Sequence, residues 1–447
     1  MRTSLVLGGG IAGLLAARVL SDHADEVVIV EPDDVVSEAP ARRRGVPQSG
    51  HSHILLGRGR EILGQLFPGL FERMIADGAQ LLDFERDGGW FVDGLRRVPV
   101  PGDEMLSMSR PFLEWHLRRA VLALPGLRVV TARVRGLTIT GNRVDGVLTG
   151  GPGGEDGQPE RIAADLVVDA SGRNSRLCDW LTEIGYQGPP RIRVGVDIGY
   201  ATCFFHREPG QQLAGFGAAH SMRTMRYGRP GASSLNPVEG DRWMALTTGF
   251  ADDRPGRGFE EFTERCLADP APPMHELVRR CEPIGDVAVY RFPASMRRDF
   301  HRLSRFPAGL VALGDAVASF NPVYGQGMTS AALHARALGD WLRSVPDLGR
   351  PAGAYFGRIT RIVDDAWQTS AAQDRLLPHV ASRLSRREKV QLFLRDRLID
   401  GAVIDTEVHR QFLDVVNMRA RPQRLMRPSI LMRALCAPRR CPVTPEA

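Results

Sequence analysis

The chain contains a single lysine, Lys389, among 58 basic residues, so nearly every cation is an arginine. The net charge of +6 and pI near 9.3 are spread along the sequence. Only short clusters such as Arg42–Arg44 occur, with no long basic run of the kind that tracks nucleic acid. Cysteine is also scarce. Cys178, Cys203, Cys266, Cys281, Cys436 and Cys441 form no CxxC pair and no repeating spacing. Neither a zinc site nor a disulfide framework is expected, and a reducing cytoplasm is the simplest compartment. No apolar run reaches the roughly 18 residues of a membrane span. A strand and its glycine turn follow the first methionine within a few residues, which leaves no room for a signal peptide. Repeats are absent. What remains is ordinary globular composition: 447 residues, 43% of them hydrophobic, enough for a full core without staples.

Two strand-turn-helix joints organise the chain. In the first, Thr3 to Leu7 is a short apolar strand, followed by Gly8-Gly9-Gly10-Ile11-Ala12-Gly13 and an amphipathic helix through Leu20. This is GxGxxG in its required setting: Gly8 for the tight turn, Gly10 for close approach of a pyrophosphate, Gly13 for helix-on-strand packing. Val27 to Val30 is a second apolar strand, and Glu31 at its end stands 18 positions after Gly13, where a carboxylate accepts from ribose hydroxyls. In the second joint, Leu310 to Leu313 ends at Gly314-Asp315. Asn321-Pro322 turns the chain, and Gly325-Gln326-Gly327 opens an apolar helix beginning at Met328. Free N–H groups and a partial positive charge then face whatever occupies the turn, and Asp315 can accept from a sugar hydroxyl.

Between these joints the pattern is mixed. Arg42 to His53 is polar and turn-rich and leads into a helix-like segment around Ile54 to Phe67. His51 and His53 lack a third ligand nearby, so a metal site is not favoured. They are read either as solvated loop residues or as neighbours of the cofactor. Trp90 to Val92 and Arg97 to Val100 suggest a hairpin around Asp93-Gly94. Ser109-Arg110-Pro111 starts a helix, with serine as cap and proline in the first turn. Arg110 at that start could reach a phosphate or be solvated. Arg128 to Arg133, Arg135 to Thr140 and Val144 to Leu148 read as strands, and 150–158 as a loop tip. Ala164 to Val168 is a buried strand closing on Asp169-Ala170-Ser171-Gly172-Arg173. From Arg191 to Pro293 the chain alternates as β segments rich in aromatics, with a helix-like piece from Phe259 to Leu267. The modest inference is a sheet covering an apolar pocket. Tyr355 to Thr369 and Lys389 to Val416 have helical periodicity. Arg421 to Ala447 is basic and proline-broken, with order expected to be poor.

Together, Gly8-x-Gly10-x-x-Gly13 with Glu31, Asp169-x-Ser171-Gly172-Arg173, and Gly314-Asp315-Ala316 with Pro322 and Gly325-x-Gly327 resemble the para-hydroxybenzoate hydroxylase type of FAD-dependent monooxygenase, over roughly residues 1 to 340. The stretch Gly45 to Gly57, with Gln48, His51 and His53, is more similar to flavin epoxidases of polyketide olefins and related secondary-metabolite oxygenases, including those of antibiotic biosynthesis. The resemblance implies an α/β fold. A Rossmann-like FAD-binding domain would comprise residues 1–85, 101–185 and 300–345. A β-sheet substrate domain would be inserted as a hairpin at 86–100 and a sheet at 186–299, and a C-terminal helical section would span 346–447.

The resemblance also implies that Gly8, Gly10, Ile11, Ala12 and Gly13 hold the pyrophosphate of a non-covalent FAD, Glu31 the adenosine ribose and Asp315 the ribityl chain. Arg44, Gln48, Arg110, Asp169, Gly172, Arg173, Gly314, Pro322, Gly325, Gly327 and Met328 would complete the cofactor site, with His51 and His53 as catalytic candidates. No second GxGxxG follows a strand, so electrons would come from NAD(P)H docking over the flavin or from a separate flavin reductase. A flavin C4a-hydroperoxide would then transfer one oxygen atom from O2 to an apolar small molecule. No general base is identifiable between 191 and 293, which favours olefin epoxidation over aromatic hydroxylation. A geranylgeranyl-type double-bond reductase shares the same motifs. A flavin halogenase would need a substrate-side lysine and a WxWxIP segment, and the sequence has no such segment.

Overall fold

In the computed structural model, the described residues are 1–34, 38–150, 159–381 and 383–439. The expected loop tip at 150–158 lies outside them except for Gly150, as does the end of the chain from 440.

Five parallel strands form the first sheet, in the order Leu310–Ala312, Leu166–Asp169, Thr3–Leu7, Glu26–Glu31, Leu127–Thr131. Leu166–Asp169 is buried throughout and Thr3–Leu7 at all but its first residue, as strands covered on both faces must be, here by helices and by the three-stranded antiparallel sheet of Arg133–Thr140, Arg143–Gly150 and Glu160–Ala163. The helices Ile11–Leu20 and Gln326–Arg343 pack on each other beside it, with Gly339 against Val19. Each begins at the C-terminal end of a strand in this sheet, where open α/β sheets place their ligands.

A second, mixed sheet of eight strands runs in the order Ala318–Ser319, Pro283–Arg298, Arg191–His206, Arg242–Phe250, Gly231–Val238, Ala218–Arg223, Gly88–Val92, Leu95–Arg96. Its two longest strands hold 16 residues each and are paired antiparallel. One face buries Phe91, Phe205, Trp243 and Leu235 under the helices Phe259–Leu267 and Pro272–Arg280.

The expected hairpin is shorter than the pattern suggests. Asp93 and Gly94 take φ values of 49° and 85°, the left-handed pair of a tight hairpin turn, but the return strand is only Leu95–Arg96. Pro99 and Pro101 have no N–H to continue a ladder, and Val98 donates instead to Val403 O near the C-terminus. The helix at Arg110–Leu122 starts as its sequence implies, the Ser109 hydroxyl accepting from the Phe112 N–H.

Helical periodicity over Lys389 to Val416 resolves into two helices, Arg386–Ile404 and Thr406–Val416. Asp405 breaks them, its carboxylate accepting from the N–H groups of Glu407 and Val408. Within the stretch expected to be poorly ordered, Pro428–Cys436 is a helix packed on Leu398 and Ala402. No helix among the described residues is long and apolar enough to cross a membrane.

Candidate active site

One cavity of about 1730 Å³ runs between the two sheets and is walled by residues from both and from the C-terminal helices. Single ligand pockets usually span roughly 300–1,000 Å³, so there is room for a dinucleotide and a second molecule.

At one end the wall is main chain. Gly8 has φ 102°, and a Cβ there would stand 2.8 Å from Ala170 O. A Cβ at Gly13 would stand 1.8 Å from Gly8 O. The strand, turn and helix can therefore close only with glycine at both positions. Among the described residues no side chain caps the helix that follows, and Gly10, Ile11 and Ala12 line the cavity, so first-turn N–H groups there are available to an anion. Glu31 is buried at the end of its strand. Its Oε2 accepts from the Gly9 N–H at 2.6 Å and its Oε1 from the Asp33 N–H at 3.1 Å. A carboxylate has about four acceptor sites, so two remain for ribose hydroxyls.

The arginine triplet divides here. Arg44 is exposed on the cavity wall, whereas Arg43 is inserted between Glu31 and Glu114, at 3.3 and 3.7 Å. Among the described residues the buried Nε and Nη1 atoms of Arg43 make these ion pairs without a closer hydrogen bond, and its guanidinium is the nearest group to Gly10. Sequence reasoning missed this residue, because three consecutive arginines give no clue to which one turns inward.

Midway along the cavity, Asp315 faces the space without a hydrogen-bond partner among the described residues. Burial pushes its pKa up, while Arg110, Arg173 and Arg298 pull it down. Its Oδ1 lies 3.9 Å from where a Gly327 Cβ would stand. Gly325, with φ 67°, begins the Gln326–Arg343 helix without a side-chain cap, so that helix also presents free N–H groups to the cavity beside Pro322, Gly327 and Met328. Arg173 lies 4.2 Å over the Phe292 ring and donates to Ala294 O at 2.8 Å, tying the first sheet to the second.

Both loop histidines reach this region, together with Gln48. Arg110 approaches His53 Nε2 at 3.0 Å, and a guanidinium can only donate. His53 therefore carries its proton on Nδ1, which donates to His51 O at 2.9 Å. Burial, then Arg110, holds its pKa down at about 3. A neutral imidazole with both nitrogens engaged is a positioning group, not a base. His51 Nδ1 pairs with Thr202 Oγ1 at 2.9 Å, and its second nitrogen has no partner among the described residues. Burial, then Arg42, lowers its pKa to about 4.

Three expected cofactor residues do not face the cavity. Gly13 and Gly314 act by allowing close packing; Gly314 has φ 62°, and a Cβ there would stand 2.7 Å from Ala12 Cβ. Asp169 is fully buried, its carboxylate accepting from the Ser171 N–H, the Ser171 hydroxyl and the Ser175 hydroxyl. It shapes the turn that brings Gly172 and Arg173 to the cavity, so its own contact with a cofactor is corrected to support from behind.

The far end is lined by side chains of the mixed sheet, including Tyr200, Leu246, Phe250, Tyr290 and Phe292. His220 packs against the rings of Phe84 and Trp90, which also touch each other, with Nε2 paired with Asn236 Oδ1 at 2.9 Å, and burial lowers its pKa to about 4. The remaining wall comes from the C-terminal helices through Leu398, Ile399, Phe412 and Val415, none of which the sequence pattern marks as a site. Behind the wall, Asp374 Oδ1 accepts from Asn321 Nδ2 at 3.0 Å and from the Tyr324 hydroxyl at 3.1 Å, and Asn321 Oδ1 accepts from Tyr200 at 3.1 Å.

Comparison with known proteins agrees with this geometry. A family model described as FAD binding domain matches residues 2–347. Protein Rv3254 of Mycobacterium tuberculosis (strain ATCC 25618 / H37Rv) is 40% identical over 428 residues, covering 92% of this chain and 88% of that one. Among solved structures, the flavin-dependent brominase Bmp2 matches with a TM-score of 0.65 at 14% identity, over 97% of each chain. The p-nitrophenol 4-monooxygenase PnpA from Pseudomonas putida DLL-E4 matches at 0.64 and 17%, over 93% of this chain and 99% of its own. The Diels-Alderase PyrE3 matches at 0.60 and 20%, over 93% and 80%. At these identities the likeness establishes a shared fold, the expected Rossmann-like flavoprotein architecture, and leaves the reaction open.

Proposed function

The chain belongs to the FAD binding domain family, and from that premise we propose that it is an FAD-dependent monooxygenase that inserts one atom of O2 into an apolar secondary metabolite, by olefin epoxidation. The observation that carries the reading is the continuous cavity, with a glycine cradle at one end and an apolar sheet-and-helix chamber at the other. The residues present fit the cofactor. Gly10, Ile11 and Ala12 border the cavity at a helix start without a side-chain cap, the Arg43 guanidinium stands beside Gly10, and Glu31 and Asp315 have free acceptor sites.

In this reading the N–H groups at Ile11 and Ala12 hold the pyrophosphate. Glu31 accepts from the adenosine ribose beside Arg43, and Asp315 from the ribityl chain. When bound, the flavin supplies two-electron reduction and activation of dioxygen. The chain's own part is placement and dryness. The uncapped start of the Gln326–Arg343 helix stabilises negative charge that develops nearby. His51, Tyr290 and Phe292 wall that point from the chamber beyond it. His51, His53 and His220 are neutral with strongly lowered pKa values, and none is suited to deprotonate a phenol near neutral pH. This supports oxygen transfer to an olefin over base-assisted aromatic hydroxylation.

The shared fold with a brominase carries no halogenation argument. Lys389 is exposed, and no lysine lines the cavity among the described residues.

The test uses purified protein loaded with FAD, candidate olefins, and NADH, NADPH or a flavin reductase as donor, under 18O-labelled dioxygen. One labelled atom in the product is the expected result. Product formed under strict anaerobiosis with two hydrogens added would instead identify a double-bond reductase.

A further inference from the structure

Arg97 leaves the short hairpin and enters the chamber end of the cavity. It is 6% exposed, and its guanidinium carbon lies 4.6 Å from the Phe412 ring centroid. Its buried Nε has no hydrogen-bond partner, and among the described residues no carboxylate lies within ion-pair distance of the guanidinium.

The surrounding charges are already committed. Asp93, the carboxylate that acts on Arg97 from a distance, accepts from the Thr224 N–H and hydroxyl, both at 2.7 Å, and lies 3.8 Å from Arg226. Asp400 pairs with Arg226 at 3.0 Å and with Arg397 at 3.1 Å. His409, on the helix that carries Phe412, pairs with Val98 O at 2.6 Å and is kept neutral by burial and by Arg97 itself. Two carboxylates thus face three guanidinium groups, and the surplus positive charge belongs to the arginine on the cavity wall. Burial lowers the pKa of Arg97 only to about 10, so it remains charged at neutral pH.

A buried cation without a counter-ion is costly unless something else supplies the charge. The two helices that carry Arg397 and Phe412 also line the cavity with the apolar side chains of Leu398, Ile399, Val415 and Val416. From this geometry we infer that the corner of Arg97 and Phe412 binds the carboxylate of an amphipathic substrate, an apolar body ending in one carboxylic acid. One unpaired guanidinium with one aromatic platform suits a planar monoanion, which it can meet with two parallel N–H donors. The inference deepens the proposed oxygenase reading by naming the substrate class, and rests on that reading only for the reaction at the other end of the molecule.

Calorimetric titration of the FAD-loaded full chain at pH 7.5 tests it, using decanoate against decanamide and 1-naphthoate against 1-naphthamide. The carboxylate of at least one pair is expected to bind about tenfold or more tighter than its neutral partner, the scale of hydrogen bonds to a charged group. Arg97→Met should erase that preference at unchanged FAD content, and Arg97→Lys should keep part of it. The melting temperature of Arg97→Met should be unchanged or higher, because an unpaired buried cation has been removed; a purely structural arginine would lower it. Absence of a carboxylate preference in both pairs, including absence of any binding, overturns the inference, as does a preference that survives in Arg97→Met. FAD content and the labelled-oxygen result on the same preparation report separately on the oxygenase reading.

Discussion

From the glycine end to the middle of the cavity, much of the wall comes from short contiguous stretches: Gly8 with residues 10–12, then 170–173 and 322–328. At the chamber end the wall is side chains, gathered from a hairpin, several strands of the mixed sheet and helices more than 300 residues further along the chain, as the bond from Val98 N to Val403 O illustrates. A main-chain wall accepts only glycine at the points of closest approach and so tolerates little change. A side-chain wall can be relined one residue at a time while the fold stays the same. That contrast suits a fold on which a brominase, a nitrophenol monooxygenase and a Diels-Alderase are all built.

The strongest way to break this comparison is at Gly13. A methyl group there would overlap Gly8 O, a backbone atom that cannot move without opening the turn. Gly13→Ala is therefore expected to cost on the order of 3 kcal/mol or more in stability and to abolish FAD retention, read by melting temperature and by flavin released on denaturation. A variant that keeps its FAD and its melting temperature would show that the cradle is as adaptable as the chamber.

The same contrast explains what the amino-acid sequence reveals. Gly13 reports its role because the steric rule at that position operates against Gly8, a near neighbour in the chain, and the helices at Ile11 and Gln326 follow from local periodicity. Asp169 was legible as part of a motif, but not as the buried anchor of a turn, since its partners Ser171 and Ser175 differ from cofactor atoms only in three dimensions. Arg43 and Arg44 are indistinguishable until Glu31 and Glu114 are seen to flank one of them. Phe412, Arg97 and Leu398 carry no local signal at all. An arginine after a hairpin and apolar residues at helical spacing have ordinary solvent-facing and core readings, and only long-range packing brings them to one corner.

Asp374 sharpens the comparison from behind the wall. Burial holds its carboxyl near pH 6 against an ordinary 3.8, with the donors Asn321 and Tyr324 offsetting part of the effect. The raised value means that the folded protein binds this proton more tightly than the unfolded chain does. Its contribution to stability is complete below about pH 4 and is lost as pH rises through 6, a difference of roughly 3 kcal/mol. Asp374→Asn mimics the protonated group. Its melting temperature should match the parent at pH 4 and exceed it at pH 7.5, with FAD content unchanged. A constant difference across that range would show that Asp374 does not titrate in the folded protein.

The smallest effect is expected where the two ends meet, at His51 and His53. His51 is buried and His53 half-buried, and both are neutral across the working pH range, so neither should place an inflection near pH 6.5 in the profile of product formed per flavin reduced. His53 is fixed by Arg110 on one side and by His51 O on the other, and through them it sets the path of the loop. His51 has one nitrogen on Thr202 and the other without a partner among the described residues, and the Tyr290 ring centroid is 5.9 Å from its own. Alanine at His51 should therefore leave FAD bound while diverting part of the reduced flavin to hydrogen peroxide, on the order of a few-fold loss of coupling, from a wetter and less ordered junction. Alanine at His53 should do the same with an added loss of thermal stability, because Arg110 keeps Glu114 but loses its imidazole partner. Peroxide yield, FAD content and melting temperature measured side by side separate these outcomes. If both variants couple like the parent, the loop is scaffold and the junction belongs with the glycine end, built for shape alone.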